Sequence, residues 1–248
     1  MKHEIILEAP IFTVEAALKA SNSGVNRIEL CSNYAEGGET PGAGMLSFLK
    51  KRITLPIFVM IRPRGGDFVY NEDEIEVMKE EIHLLKSYGA DGFVFGILNR
   101  DSSLNREECR KLIRLAGEKP CTLHRAFDVS RDLNRTLEDA IDCGFKRVLT
   151  SGGFPSVGDG LDKIIELLIQ AGERIIIMPG GGMKPEYVTP LSETGYLREI
   201  HASCKMTRIS DRVGNQYGAS VDFRSDPPDG VLTIDSEMVE RFKKVMKM

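Results

Sequence analysis

The sequence lacks a thiol framework. Its five cysteines (Cys31, Cys109, Cys121, Cys143 and Cys204) are odd in number, and no two stand in a C-x-x-C spacing. That argues against a disulfide scaffold and a structural zinc site, and leaves reduced thiols. A net positive charge is also missing. The formal net charge is -4 at pH 7 and no Lys/Arg stripe is visible, so bulk electrostatics point away from a nucleic-acid partner. No apolar run approaches the roughly 20 residues of a membrane span. The opening "MKHEIILEAP" has neither the apolar core nor the small-residue cleavage site of a secretory leader. A cytoplasmic protein with no membrane partner is expected. There is no G-x-G-x-x-G fingerprint either, which removes the main sign of an open doubly wound sheet.

What remains is a chain of 248 residues, 42% of them hydrophobic, enough for a large core. Eight short apolar or β-branched runs recur along it: "EIILE" from Glu4, "RIELC" from Arg27, "IFVMI" from Ile57, "GFVFG" from Gly92, "CTLHR" from Cys121, "RVLTS" from Arg147, "IIIMP" from Ile175 and "EIHAS" from Glu199. Most successive runs begin roughly 25–35 residues apart, the length of a strand plus a crossover helix. Helical patterns lie between them. In "YNEDEIEVMKEEIHLLKSYG", Asn71 is a plausible N-cap with Glu74 completing a capping box. Ile75, Met78, Ile82 and Leu85 form one stripe, and Gly89 is a stop. "LEDAIDCGFKRV" repeats helix, glycine and strand, with Gly144 at the junction.

Eight such units without a linker predict a single-domain α/β fold over residues 1–248, a TIM-like (β/α)8 barrel. Residues 205–230 read as a long polar loop after the eighth strand, either a lid or a connector, and residues 236–248 as a last helix. A homodimer is the base-rate expectation.

Side chains alternate along a strand, and in a barrel the outward set packs under helices. With Ile28, Leu30, Ile57, Val59, Ile61, Leu123, Ile200 and Ala202 outward, the inward set contains Glu29, Cys31, Phe58, Met60, Arg62, His124, His201 and Ser203. Glu8 ends the first strand with ambiguous parity, and Asp128 lies just beyond the fifth. Glu8, Glu29, Arg62, His124, Asp128 and His201 are therefore the candidate catalytic residues. The carboxylates suit acid/base work, the imidazoles proton shuttling, and Arg62 an anionic group. A buried ion-pair network that only orients strands is the alternative.

The sixth strand ends in Thr150, Ser151, Gly152 and Gly153, the seventh in Gly180, Gly181 and Gly182, and the eighth reaches Ser203. Bare backbone and hydroxyls at neighbouring strand ends suit an anion or phosphate; tight turns needing positive φ are the alternative. Arg62 and Arg64 flank Pro63, so Arg64 either holds an anion or braces its loop through Asp67. Glu36 likewise braces or faces a ligand.

Together "RIELC", "EGGETPGAG", "VMIRPRGGDFVY", "LHRAFD", "LTSGG", "MPGGG" and "EIHAS" resemble the CutC family from about Glu4 to Gly218–Ser220. The resemblance implies a TIM-like barrel, a cytoplasmic location, and a role in copper tolerance or trafficking with Cu(I) held through cysteines. Cys31 matches the family's cysteine after "RIEL", and Met60 shares its inward parity, so these two are the candidate metal ligands, with His124 or His201 to complete the set. Some relatives carry a second cysteine just after the first strand; here Pro10 falls in that stretch. Cys31 as a small buried hydrophobe is the competing reading, and Cys204 is a weaker second candidate. The expected partner is a small anionic ligand or a copper ion.

Overall fold

The computed structural model describes residues 4–209 and 230–247. Strands and helices alternate: β1 (Ile6–Ile11), α1 (Val14–Ser23), β2 (Arg27–Leu30), α2 (Ala43–Lys50), β3 (Ile57–Met60), α3 (Glu72–Ser87), β4 (Gly92–Phe95), α4 (Arg106–Ala116), β5 (Cys121–Leu123), α5 (Leu133–Cys143), β6 (Arg147–Thr150), α6 (Leu161–Ala171), β7 (Ile176–Pro179), α7 (Val188–Ser192) and β8 (Glu199–His201). The strands pair in parallel in the order β7-β6-β5-β4-β3-β2-β1-β8, and the ring closes where β7 and β8 lie alongside each other. This is the expected barrel with its helices outside.

The alternation sorts residues as the sequence pattern requires. Leu7, Ala9, Ile11, Ile28, Leu30, Ile57, Val59, Phe93, Phe95, Leu123, Val148, Ile177 and Ile200 are all buried in the core between sheet and helices. That sets the parity of β1: Glu8 and Pro10 point inward. The capping box of α3 is present, with the Glu74 amide donating to Asn71 Oδ1 at 2.9 Å and the Asn71 amide donating to Glu74 Oε2 at 2.8 Å. Its stripe Ile75, Met78, Ile82 and Leu85 is buried.

The barrel floor is ionic. Arg27 Nε donates to Glu8 Oε2 at 2.5 Å, and its Nη2 donates to Glu199. Arg147 Nε donates to the same Glu199 oxygen at 2.9 Å. Both guanidiniums flank the Phe58 ring, at 4.6 and 4.8 Å from its centroid. A Cβ on Gly92 would stand 2.7 Å from that ring, so the absence of a side chain there admits Phe58 to the interior.

The stretch after β8 departs from the expected long loop. β9 (Lys205–Arg208) pairs antiparallel with β10 (Val231–Ile234), and α8 (Ser236–Met246) follows, capped by Asp235. Val231, Thr233 and Ile234 supply the β-branched residues that favour such a ribbon. The remainder of that predicted loop, 210–229, and the end of the predicted helix, Met248, lie outside the described residues. Among the described residues no helix is long and apolar enough to cross a membrane.

Candidate functional site

The C-terminal ends of the strands surround a cavity of about 220 Å³. Glu29, Arg62, His124 and His201 line it, with Phe12, Met60, Phe68 and Leu149 as apolar wall. Four of the sequence-predicted catalytic residues therefore share one space.

Glu8 lies one step beneath and orients His201. Its Oε1 meets His201 Nδ1 at 2.8 Å while its Oε2 accepts from Arg27. Burial would raise the Glu8 carboxyl, but Arg27 and His201 outweigh it and hold it down at about 2. Glu8 is thus a fixed anion. The other imidazole nitrogen, His201 Nε2, faces Glu29 Oε2 at 3.7 Å.

Glu29 is the opposite case. Burial pushes its carboxyl up to about 7, with the Glu8 charge adding to the rise and His201 resisting it. Burial disfavours charge on His201, yet Glu29 and Glu8 raise its pKa above the ordinary value. Glu29 is poised to gain or lose a proton near neutral pH, and its Oε1 has no partner among the described residues.

His124 is held neutral. Burial, followed by the nearby Arg62 charge, drives its pKa down to about 3. Its Nδ1 accepts from the Ala126 amide at 3.2 Å, so the proton sits on Nε2, which is buried and unpartnered. Arg62 spends its two terminal nitrogens on loop carbonyls, Nη1 on Glu36 and Gly38 at 2.5 and 3.0 Å and Nη2 on Gly66 at 2.8 Å. Only Nε is left, buried and unpartnered. Both side chains pack on Phe68, at 4.7 and 4.9 Å.

Several expected site residues sit elsewhere. Asp128 does not reach the cavity. It accepts from the Thr150 hydroxyl at 2.5 Å, the Ser151 and Gly153 amides at 3.0 Å, and Arg125 Nε at 2.8 Å. An internal carboxylate therefore takes the donors of the loop after β6, and Gly152 donates to Thr150 Oγ1 at 2.8 Å. Thr150, Ser151, Gly152 and Gly153 form no seat for an outside anion, because the chain supplies its own. Arg64 is a brace, bound to Glu74 at 2.6 Å and Asp67 at 3.1 Å. Glu36 braces too, accepting from the Gly66 amide at 3.3 Å. Gly180 donates to Thr150 O at 2.9 Å, while Gly181, Gly182 and Ser203 do line the cavity.

Cys31 is buried with Phe58, Met60 and Val94 in a small interior cluster. It lies behind Gly38, whose Cβ would stand 3.3 Å from its Sγ and 3.6 Å from Met60 Cε. Burial, then the Glu29 charge, raises its thiol well above the ordinary value. A thiol kept protonated with one thioether for company does not fit a Cu(I) cage, which draws on thiolates. Cys204 is buried under the ribbon and pushed up to about 12. Donor atoms of Glu8, Glu29 and His201 do lie within 4.8 Å of one another. Glu8, however, has both oxygens committed, and a cation would have to displace the Glu29–His201 proton. Among the described residues this leaves a two-ligand seat, too few for a dedicated metal centre.

Sequence reasoning missed Arg27, Arg147 and Glu199, although each stands at the inward parity of its strand. It also missed Arg125. β5 ends at Leu123, so strand alternation no longer says where residue 125 points.

Fold and site define a (β/α)8 barrel with a pocket lined by buried titratable side chains at its C-terminal mouth. The chain belongs to the CutC family, whose model matches residues 5–206. It is 46% identical over 205 residues to the copper homeostasis protein cutC homolog of Homo sapiens, covering 83% of this chain and 75% of that protein. A CutC family protein of Xylella fastidiosa is 42% identical over 208 residues, covering 84% and 78%. A crystal structure of a copper homeostasis protein CutC from Streptococcus agalactiae superposes with a TM-score of 0.75 at 29% identity, covering 80% of this chain and 98% of that one. The aldolase QR15 superposes with a TM-score of 0.61 at 17% identity, covering 82% and 91%, and shares the fold.

Proposed function

We propose that this chain serves copper homeostasis, the role its relatives carry in their names, and that its barrel mouth is a proton-transfer site for a small carbonyl compound. A cytoplasmic setting fits five cysteines that are all buried and free. The observation that carries the site reading is the pairing of Glu29, raised to about 7, with His124, held neutral at about 3, on one cavity. A raised carboxyl opposite a neutral imidazole is a pattern used for enolisation. Ionised Glu29 takes a proton from the carbon beside the carbonyl. The C–H electron pair moves into the carbonyl to give an enolate. That oxygen is met by the Nε2–H of His124 and the Nε–H of Arg62. Return of the proton from Glu29 completes the exchange, with burial setting the carboxyl's pKa and His201 and Glu8 adjusting it.

The test is solvent deuterium incorporation beside the carbonyl in a panel of 2-hydroxy ketones and 2-oxo acids, followed by proton NMR. The protein should exchange at least one class, and Glu29→Gln should slow it about 10²–10⁴-fold. No exchange above the buffer blank, or an undiminished rate in the variant, sinks the reading.

A second reading rests on Cys31 and Met60 sharing one buried cluster. Here Cys31 and Met60 would hold Cu(I) as a transient two-sulfur seat rather than a closed cage, with the Cys31 thiol giving up the proton that burial keeps on it. It requires stoichiometric Cu(I) binding in a competition assay with a chelator, at least tenfold weaker in Cys31→Ser. Equal affinity in the two chains removes it.

A further inference from the structure

We propose that the cavity takes a compact carbonyl compound bearing an oxyanion, either phosphate or carboxylate, and that Arg125 holds this oxyanion against the Gly181–Gly182 turn. The inference rests on the proton-transfer reading and names the substrate class for it.

Arg125 lies at the cavity with its side chain 41% exposed. Two of its three nitrogens are fixed: Nε donates to Asp128 Oδ2 at 2.8 Å, and Nη2 donates to Ser151 Oγ at 2.6 Å. Asp128 is in turn held by the loop after β6, so the clamp is rigid. Nη1 donates to nothing among the described residues. It lies 3.0 Å from where a Cβ on Gly181 would stand. A guanidinium locked on one edge and free on the other is set to grip an anion without reorganising.

The turn beside it is built for close approach. Gly181 and Gly182 have φ of +92° and +74°, a conformation that side chains rarely adopt. Their consecutive amides donate to no described acceptor, and such amides make anion-binding concavities. The Ser203 hydroxyl, on the same cavity, adds a donor.

Deeper in, three more polar atoms wait for partners: His124 Nε2 and Glu29 Oε1, on residues 3% exposed, and Arg62 Nε, on a residue 5% exposed. Leaving such atoms unmet costs about 1–3 kcal/mol each. A role confined to bracing strands does not explain why the three residues that carry them line one cavity. The inner set contains two donors and one acid/base group, and suits a carbonyl and its neighbouring carbon. The outer set is cationic and donor-rich, and suits an oxyanion. The cavity, at about 220 Å³, is smaller than the roughly 300–1,000 Å³ of drug-sized pockets. Room is left for only a short carbon skeleton, lying between Met60 and Leu149.

The test titrates the protein with inorganic phosphate and, separately, with pyruvate, by calorimetry and amide NMR. One of the two probes should saturate and shift the Gly181 and Gly182 amides; which one does so tells phosphate from carboxylate. Arg125→Gln should weaken that probe tenfold or more. Gly181→Ala, whose Cβ would stand 2.9 Å from Arg125 Cζ and 3.0 Å from its Nη1, closes the same seat from the turn side and should bring a comparable loss. Arg174→Gln, whose guanidinium pairs with Glu138 on the outer surface, should bind as the unaltered chain does. Silent Gly181 and Gly182 amides with both probes, or undiminished binding by both Arg125→Gln and Gly181→Ala, overturns the anion seat. Deuterium exchange read alongside separates the two ideas. Exchange on uncharged hydroxy ketones without anion binding removes the seat alone. Anion binding lost in Arg125→Gln, without exchange on any compound, supports the seat and removes the proton-transfer reading.

Discussion

Replacing Arg27 by methionine should destabilise the protein by about 3–5 kcal/mol, because it leaves two buried carboxylates without their shared cation. Glu8 and Glu199 both accept from this one guanidinium, and all three side chains are almost inaccessible. Arg147 still reaches Glu199 at 2.9 Å, so the larger injury falls on Glu8. At roughly 2–4 °C per kcal/mol for a domain of this size, the melting temperature should drop by about 6–20 °C. Adding Glu8→Gln should recover part of the loss, since it removes the stranded charge. A drop under about 3 °C for Arg27→Met would show that water or rearrangement compensates Glu8, and that the floor does not hold the site above it. The effect reaches that site because Glu8 keeps His201 in place. Without Arg27 the Glu8 carboxyl loses the largest influence holding it near 2.

The barrel was legible in the sequence because its signals are local and repeated. Each strand carries an outward apolar set, and helices such as α3 announce their caps and stripes. Inward parity placed Glu29, Arg62, His124 and His201 together for the same reason. Parity fails where strands stop. Asp128 and Arg125 lie past β5, on a turn whose course depends on the loop after β6, and only the folded chain shows Asp128 filling that loop. Parity also does not tell height along the barrel axis. Arg27, Arg147 and Glu199 share the inward side with the site residues but sit at the floor. The glycines divided likewise. The loop after β6 closes on an internal carboxylate, whereas Gly181 and Gly182 open onto the cavity.

Glu29→Gln should gain stability over the unaltered chain as the pH rises. The Glu29 carboxyl lies at about 7 in the fold against an ordinary 4.5. Between those values the folded state binds more protons than the unfolded one, so stability falls as pH rises through that window. His201, whose pKa is raised in the fold, acts in the same direction: its contribution is present at low pH and lost as pH rises through its folded value. Glutamine has no proton to lose, and without the Glu29 charge His201 is raised less. His124 and Glu8 work the other way, since stability is lost when pH falls toward their depressed values of about 3 and about 2. Both remain in the variant, so their contributions largely cancel in the comparison. Urea unfolding at pH 5 should find the two chains close. By pH 8 the difference should have moved in favour of Glu29→Gln by about 1–3 kcal/mol, below the limit set by 1.36 kcal/mol per pKa unit. A difference that stays constant from pH 5 to pH 8 would mean that Glu29 is ionised throughout, and the acid/base assignment would fall. If the gain appears together with loss of deuterium exchange, Glu29 is a residue the fold carries at the expense of its own stability. A merely structural carboxylate would give the opposite sign, because removing it would weaken the fold most where it is charged.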